Sequence, residues 1–189
     1  MKDGFFKKEA KIMLWMTLVP AIGVVAAIVI PYLTKHRESH PPVVAVNAVK
    51  ADKVLIEKRM RTLTLSSNGE IIKTYKVALG RNPEGAKEKE GDNKTPEGIY
   101  TIDTRNTKSS YHLALHISYP NAQDIQRAKQ QGVPPGGSVM IHGIRNGLGW
   151  IGKFHRWLDW TKGCIAVTNQ EIDEIGGLVA NGTPVEIKP

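Results

Sequence analysis

The hydrophobic positions fall into two regimes. Ile12–Leu33 is a run of 22 residues without a charged side chain, apolar on every side rather than along one stripe. At about 1.5 Å rise per residue, such a helix spans the roughly 30 Å hydrocarbon core of a bilayer. From residue 51 onward the pattern becomes short and β-like. Lys53–Glu57 and Arg61–Ser67 are β-prone runs, and Asn68-Gly69 is a hairpin turn signal because both central positions of a type I′ turn need positive φ. Glu70–Leu79 returns, rich in Ile, Val, Thr and Tyr. A polar loop covers Gly80–Pro96, and Gly98–Asp103, His112–Ser118, Ser138–His142, Ile165–Val167 and Val185–Lys188 read as further strands. Asn121–Gln131 has helical spacing behind an Asn121 cap. Thr168 and Glu171 form a capping box for a helix over Asn169–Ala180, which stops at Asn181-Gly182. The expected fold class is mainly β, a sandwich or open barrel with two short helices, preceded by one N-terminal transmembrane helix.

Charge orients that first segment. Lys2, Lys7, Lys8 and Lys11 precede the apolar run against Asp3 and Glu9, so residues 1–11 read as a basic cytoplasmic head and 12–33 as a signal anchor. A cleaved signal peptide would have a shorter apolar core with small residues just beyond it, and this run ends Ile30-Pro31-Tyr32-Leu33. Residues 34–50, with Pro41-Pro42, read as a tether, and 51–189 as one domain large enough for its own core. The expected location is the cytoplasmic (inner) membrane, single-pass, with the domain on its outer, periplasmic side. The chain carries +8 overall, and residues 41–189 keep 20 Lys/Arg against 15 Asp/Glu. That mild excess suits an acidic envelope polymer or a membrane surface. It lacks the basic stripe with interleaved aromatics of a nucleic-acid binder.

The chemistry concentrates on one thiol. Cys164 is the only cysteine, so it has no intramolecular partner, and on an exported protein a lone thiol is better explained as a reagent than as packing. It follows Gly163 on a turn, downstream of the strand that ends at His142. A histidine base and a thiol are the two parts that nucleophilic acyl transfer needs. His112 and His116 have an i, i+4 spacing that would suit zinc on a helix, but their segment alternates, so both are expected to be structural; no metal or other cofactor is expected.

Gly91-Asp92-Asn93-Lys94-Thr95-Pro96-Glu97-Gly98-Ile99-Tyr100, then Ile141-His142-Gly143, then Thr161-Lys162-Gly163-Cys164, resemble in order the catalytic domain of the L,D-transpeptidases, the YkuD-like family. The resemblance covers essentially all of Ala51–Pro189. The family often has histidine two residues before the cysteine and arginine two residues after it; here Lys162 and Ala166 stand, matching a subgroup with a T-x-G-C-I-A motif. The resemblance implies a β-rich sandwich-like fold and peptidoglycan stem peptides as substrate. Cys164 would attack the stem-peptide carbonyl and release the terminal D-amino acid. His142 would be the base, with its second ring nitrogen held by the Gly143 carbonyl. The N–H groups of Gly163 and Cys164 would face the oxyanion, each such donor being worth on the order of 3 kcal/mol. The acceptor would be an amine of another stem peptide or of a lipoprotein; with water the outcome is an L,D-carboxypeptidase.

Tyr119, Arg156, Trp157 and Lys162 are candidate substrate contacts. Lys162 either favours the thiolate electrostatically or points to solvent. Trp150, Trp157 and Trp160 either wall a groove or pack under a long loop, His155 either approaches the site or stays in that loop, and Asp159 is a candidate to orient the cysteine turn. Sortases need an arginine after the cysteine, and none follows Cys164; papain-like amidases place cysteine before histidine. A non-catalytic wall-binding protein and, behind it, a metal hydrolase remain as rivals.

Overall fold

The computed structural model describes residues 49–189; the expected head, the anchor 12–33 and most of the tether lie outside them. Among the described residues no helix is long and apolar enough to cross a membrane. Eight strands form one sheet: β1 (Lys53–Glu57), β2 (Thr62–Ser67), β3 (Glu70–Lys76), β4 (Gly98–Ser109), β5 (His112–Ile117), β6 (Met140–His142), β7 (Ile165–Ala166) and β8 (Pro184–Lys188). Their spatial order is β3-β2-β1-β8-β4-β5-β6-β7. β1–β2–β3 is a meander whose Asn68-Gly69 turn has φ of 53° and 83°, the mirror-image geometry that matches strand twist.

The sheet curls until its two ends meet. Just past β3, Ala78 exchanges hydrogen bonds with Ala166 of β7 at 2.9 and 2.8 Å. This closure wraps the sheet around one apolar core. Val54, Ile56, Leu63, Leu65, Ile102, Leu115, Ile117, Ile141 and Ile165 are all fully buried in it. Alternation in β1 and β8 puts Val54/Ile56 and Val185/Ile187 inside and Lys53 and Lys188 outside. The helix α1 (Ala122–Gln130) starts at a capping box of Asn121 and Asp124. The helix α2 (Asn169–Leu178) starts at the Thr168/Glu171 box and lays Ile172 and Ile175 onto β5 and β6.

Three departures from the sequence expectation have clear causes. β4 continues to Ser109, because its second half pairs with β5 as an exposed ribbon that no apolar alternation marks. α2 ends at Leu178, since Val179 is already extended and its N–H returns to Ile175. A third helix, of 3-10 type, covers Gly149–Trp157 with a kink at Gly152 (φ 52°). Its glycines conceal it from propensity.

Candidate active site

The cysteine turn is held by backbone from three directions. β7 runs parallel to β6 with Ile141 opposite Ile165 and His142 opposite Ala166, so Cys164 and His142 emerge on neighbouring strands. Thr161 N–H donates to the Leu79 carbonyl at 3.1 Å, and its carbonyl accepts from Arg81 N–H at 3.0 Å. Thr161 Oγ1 donates to the Cys164 carbonyl at 2.7 Å and accepts from Gly163 N–H at 3.1 Å. Asp159 accepts Leu79 N–H at 2.8 Å and pairs with Arg61 at 2.8 Å, fastening the start of the turn to the same segment. Gly163 sits at φ 129° with its α-carbon against the loop that carries Lys94.

That loop is organised by Asp92. Its carboxylate accepts backbone N–H from Glu88, Lys89 and Lys94 at 2.8–3.1 Å and pairs with Lys87 at 2.8 Å. Burial alone would raise this carboxyl; Lys87 and the three N–H donors outweigh it and hold it below its usual range. Thr95 accepts Gly80 N–H, and Glu97 pairs with the buried Lys58. The acidic motif therefore shapes the wall behind Gly163.

His142 is 5% exposed and its Nδ1 lies 2.6 Å from the Gly143 carbonyl. A carbonyl only accepts, so Nδ1 carries the proton and Nε2 keeps its lone pair. Tyr111 leans on the ring at 4.6 Å and Trp160 meets it edge-on at 5.8 Å. Burial lowers the His142 pKa, with the Gly143 contact opposing. Burial raises the Cys164 thiol, opposed by a backbone hydrogen bond from Met140 and the charge of Lys87. Sγ donates weakly to the Ser138 carbonyl at 3.7 Å. Both directions favour a neutral thiol beside a neutral imidazole over a thiolate–imidazolium pair. Alkylation of Cys164 by iodoacetamide, followed by intact mass against pH, is therefore expected to reach half-maximal rate above the ordinary thiol pKa; a reactive plateau extending into acid would show a pre-formed ion pair.

Both groups face one cleft of about 650 Å³, whose walls include Tyr111, Ser138, Trp160 and Lys162. Arg81, Lys87 and Lys162 outnumber Glu90 among its charged residues, a balance suited to a peptide bearing carboxylates. Cys164, His142, Gly163 and Lys162 all line this cleft, and the Gly143 carbonyl lies against His142 Nδ1. Of the two N–H donors expected for an oxyanion, that of Gly163 is taken by Thr161, which leaves Cys164 N–H. Lys162 is exposed at the rim, whereas Lys87, 4% exposed on the Gly80–Pro96 loop, lines the cleft with its ammonium paired to Asp92. The sequence marks Thr161 only as part of the cysteine motif, without its hydrogen bonds, and gives no signal for Lys87, which sits in a polar loop.

Tyr119, Arg156 and Trp157 stand apart from the cleft. Tyr119 is a core residue, 3% exposed, donating to the Pro135 carbonyl at 2.8 Å. Arg156 pairs with Glu171 and ties the 3-10 helix to the α2 cap. Trp157 is 79% exposed, edge-to-face on Phe154, outside the cleft. His112 and His116 pair with Asp173 and Asp103, and among the described residues no group of three or more His, Cys, Asp or Glu is arranged to hold a metal ion.

His155 lies behind Trp160, whose indole N–H donates to its Nδ1 at 3.4 Å. Burial, helped by the Arg156 charge, pushes its pKa down to about 4. The folded state thus resists protonating a group that the unfolded chain protonates near pH ~6.5. The associated stability is complete above that value and is lost as pH falls toward 4, about 3 kcal/mol in all. His155→Phe is expected to flatten the fall in urea midpoint between pH 7 and 4; an unchanged fall would remove His155 as its source.

Comparison with known proteins adds an independent line. The L,D-transpeptidase catalytic domain family, YkuD, matches residues 51–187. YafK of Escherichia coli (strain K12), named as a candidate L,D-transpeptidase, is 31% identical over 145 residues, covering 71% of this chain and 51% of YafK. The chain spans about half the length of the curated relatives it matches. The helical cell shape determining protein Pgp2 from Campylobacter jejuni superposes with TM-score 0.55 at 28% identity, over 72% of this chain and 47% of Pgp2. Bdellovibrio bacteriovorus Bd1075 gives 0.51 at 26%, over 75% and 49%.

Proposed function

The chain belongs to the L,D-transpeptidase catalytic domain family, and from that premise we propose that it is a cysteine acyltransferase acting on peptidoglycan stem peptides. The observation that carries this reading is the shared cleft: Cys164 and the Nδ1-protonated His142 line it together, with the imidazole lone pair left for proton transfer. His142 Nε2 takes the thiol proton as Sγ bonds to the carbonyl carbon of the third stem residue. The Cys164 N–H holds the oxyanion. The C–N bond to the terminal D-amino acid then breaks, and the proton on Nε2 passes to the departing amine. An amine of a second stem peptide attacks the thioester, gives its proton through His142 to Sγ, and forms the cross-link.

The substrate reaches the enzyme outside the cytoplasmic membrane, with 12–33 as a single-pass anchor. That placement rests on the uncharged run and the basic residues before it. Likeness to a helical cell shape determining protein supports a role in wall remodelling that sets cell shape. The test is incubation of the full chain with disaccharide-tetrapeptide, with products read by mass spectrometry. Loss of the terminal D-residue with a cross-linked dimer is expected. Loss without a dimer makes the enzyme a carboxypeptidase or assigns the acceptor to a lipoprotein amine, and intact substrate with no acyl-Cys164 mass leaves a wall-binding protein.

A further inference from the structure

Large exposed apolar side chains are concentrated in one place. Ten are exposed among the described residues, and five of them, Leu148, Trp150, Phe154, Trp157 and Leu158, lie within eleven positions on the 3-10 helix and its flanks. The other five, Val49, Met60, Ile71, Ile99 and Ile125, are scattered through the sequence. Trp150 is 82% exposed, Trp157 79%, Leu158 76% and Phe154 64%. Scattered apolar residues need no explanation, but a cluster of this kind in a water-facing position does.

Its composition selects the occupant. A sugar platform is a flat aromatic face ringed by hydrogen-bonding side chains; here the two tryptophans share an eleven-residue segment with Leu148, Phe154 and Leu158, and Trp157 packs edge-on against Phe154. Between Gly143 and Leu158 there is no acid, and Arg145 and Lys153 are exposed cations, while the third, Arg156, is half-buried and paired with Glu171. Tryptophan with aliphatic neighbours and basic flanks is the composition that settles at the headgroup level of an anionic bilayer. The chain outside the described residues brings such a surface within range: the uncharged run ends at Leu33, and the 17 residues of 34–50 reach at most about 60 Å when fully extended.

We propose that the Leu148–Leu158 segment is a lipid-docking surface that rests the domain on the anionic face of the membrane in which the chain is anchored. The proposal relies on the anchor reading of 12–33 and is independent of the acyl-transfer chemistry. It has a consequence for the cleft, because Tyr111 and Trp160 wall both the cleft and a hollow of about 340 Å³ bordered by Leu148 and Ile151. Docking thus sets a wall shared with the cleft beside the bilayer.

The test uses the full chain carrying Trp15→Phe, which removes the indole within the apolar run, reconstituted into phosphatidylcholine–phosphatidylglycerol vesicles. Part of the phosphatidylcholine is brominated high on its acyl chains, so that only indoles at the interface are quenched. Emission is expected to fall about twofold against unbrominated vesicles, the indoles sitting at headgroup depth, and the fall to be nearly lost when Trp150→Phe and Trp157→Phe are added. Arg145→Glu with Lys153→Glu is expected to weaken it as well. A chain that floats with the vesicles but shows no quenching overturns docking while leaving the anchor in place; a chain that does not float overturns both. An emission change that follows N-acetylglucosamine oligomers or protein concentration rather than bromolipid assigns the patch to glycan or to a second copy, and overturns the proposal. Release of the terminal D-residue, followed in the same samples, reports the proposed activity separately.

Discussion

Cys164→Ala is expected to abolish turnover of the stem tetrapeptide, by on the order of 10⁴-fold or more, because the bond-forming atom is removed and no other thiol exists in the chain. Stability should change little. The thiol is partly exposed, and its hydrogen bond to Ser138 is long at 3.7 Å. The same variant should gain no mass with a carbapenem, whose strained carbonyl offers Sγ an acyl donor, whereas the native chain should gain one covalent adduct at Cys164. His142→Ala should reduce turnover by about 10²–10⁴-fold, since burial raises the thiol pKa and disfavours the thiolate, so that a base is needed in the step. A Cys164→Ala chain retaining turnover within tenfold would place the nucleophile elsewhere and sink the acyl-enzyme reading.

Gly163→Ala should damage both the fold and the site. At φ 129° an L side chain is strained, and a Cβ would stand 2.5 Å from the Lys94 carbonyl oxygen. Neither backbone has room to yield. The Lys94 loop is pinned through Asp92, and the turn is pinned through Thr161 to the segment beyond β3. A cost of about 2–4 kcal/mol follows from the strain and the clash. A displacement of about 1 Å at Cys164 should lower turnover about 10²-fold beyond any unfolding. Gly177→Ala is the control: it lies in α2 with nothing within 4 Å of an added Cβ, so it should be neutral or stabilise by up to about 1 kcal/mol. Urea midpoints and turnover on the folded fraction check both; equal midpoints for the two variants would mean that the turn tolerates a side chain.

Much of this molecule was legible before any coordinates. The short strands could be read because each buries one face, so Val54/Ile56 and Val185/Ile187 impose their period on the chain. Caps and turns were legible because their chemistry is local: Asn68-Gly69 needs positive φ, and Thr168 reaches only three residues ahead. His142 and Cys164 stood out because a base and a lone thiol are rare residues in a recognisable order.

What the chain alone could not show is where distant segments meet. Tyr119, Arg156 and Trp157 looked like substrate contacts by residue type, yet Tyr119 is in the core, Arg156 is tied to Glu171, and Trp157 faces outward. Lys87 looked like one of several loop lysines, and only the fold carries it to the cleft beside Asp92. Thr161 Oγ1 accepts the Gly163 N–H, a contact two residues apart that depends on the exact curl of the turn. Sequence by itself thus determined most of the strands, the two capped helices and the candidate reagents, because those follow from periodicity and from what each side chain can do. Tertiary structure alone decided which side chains share the cleft, in which direction their pKa values move and which backbone groups are paired, because burial, charge and backbone satisfaction are set by closure of the sheet between Ala78 and Ala166.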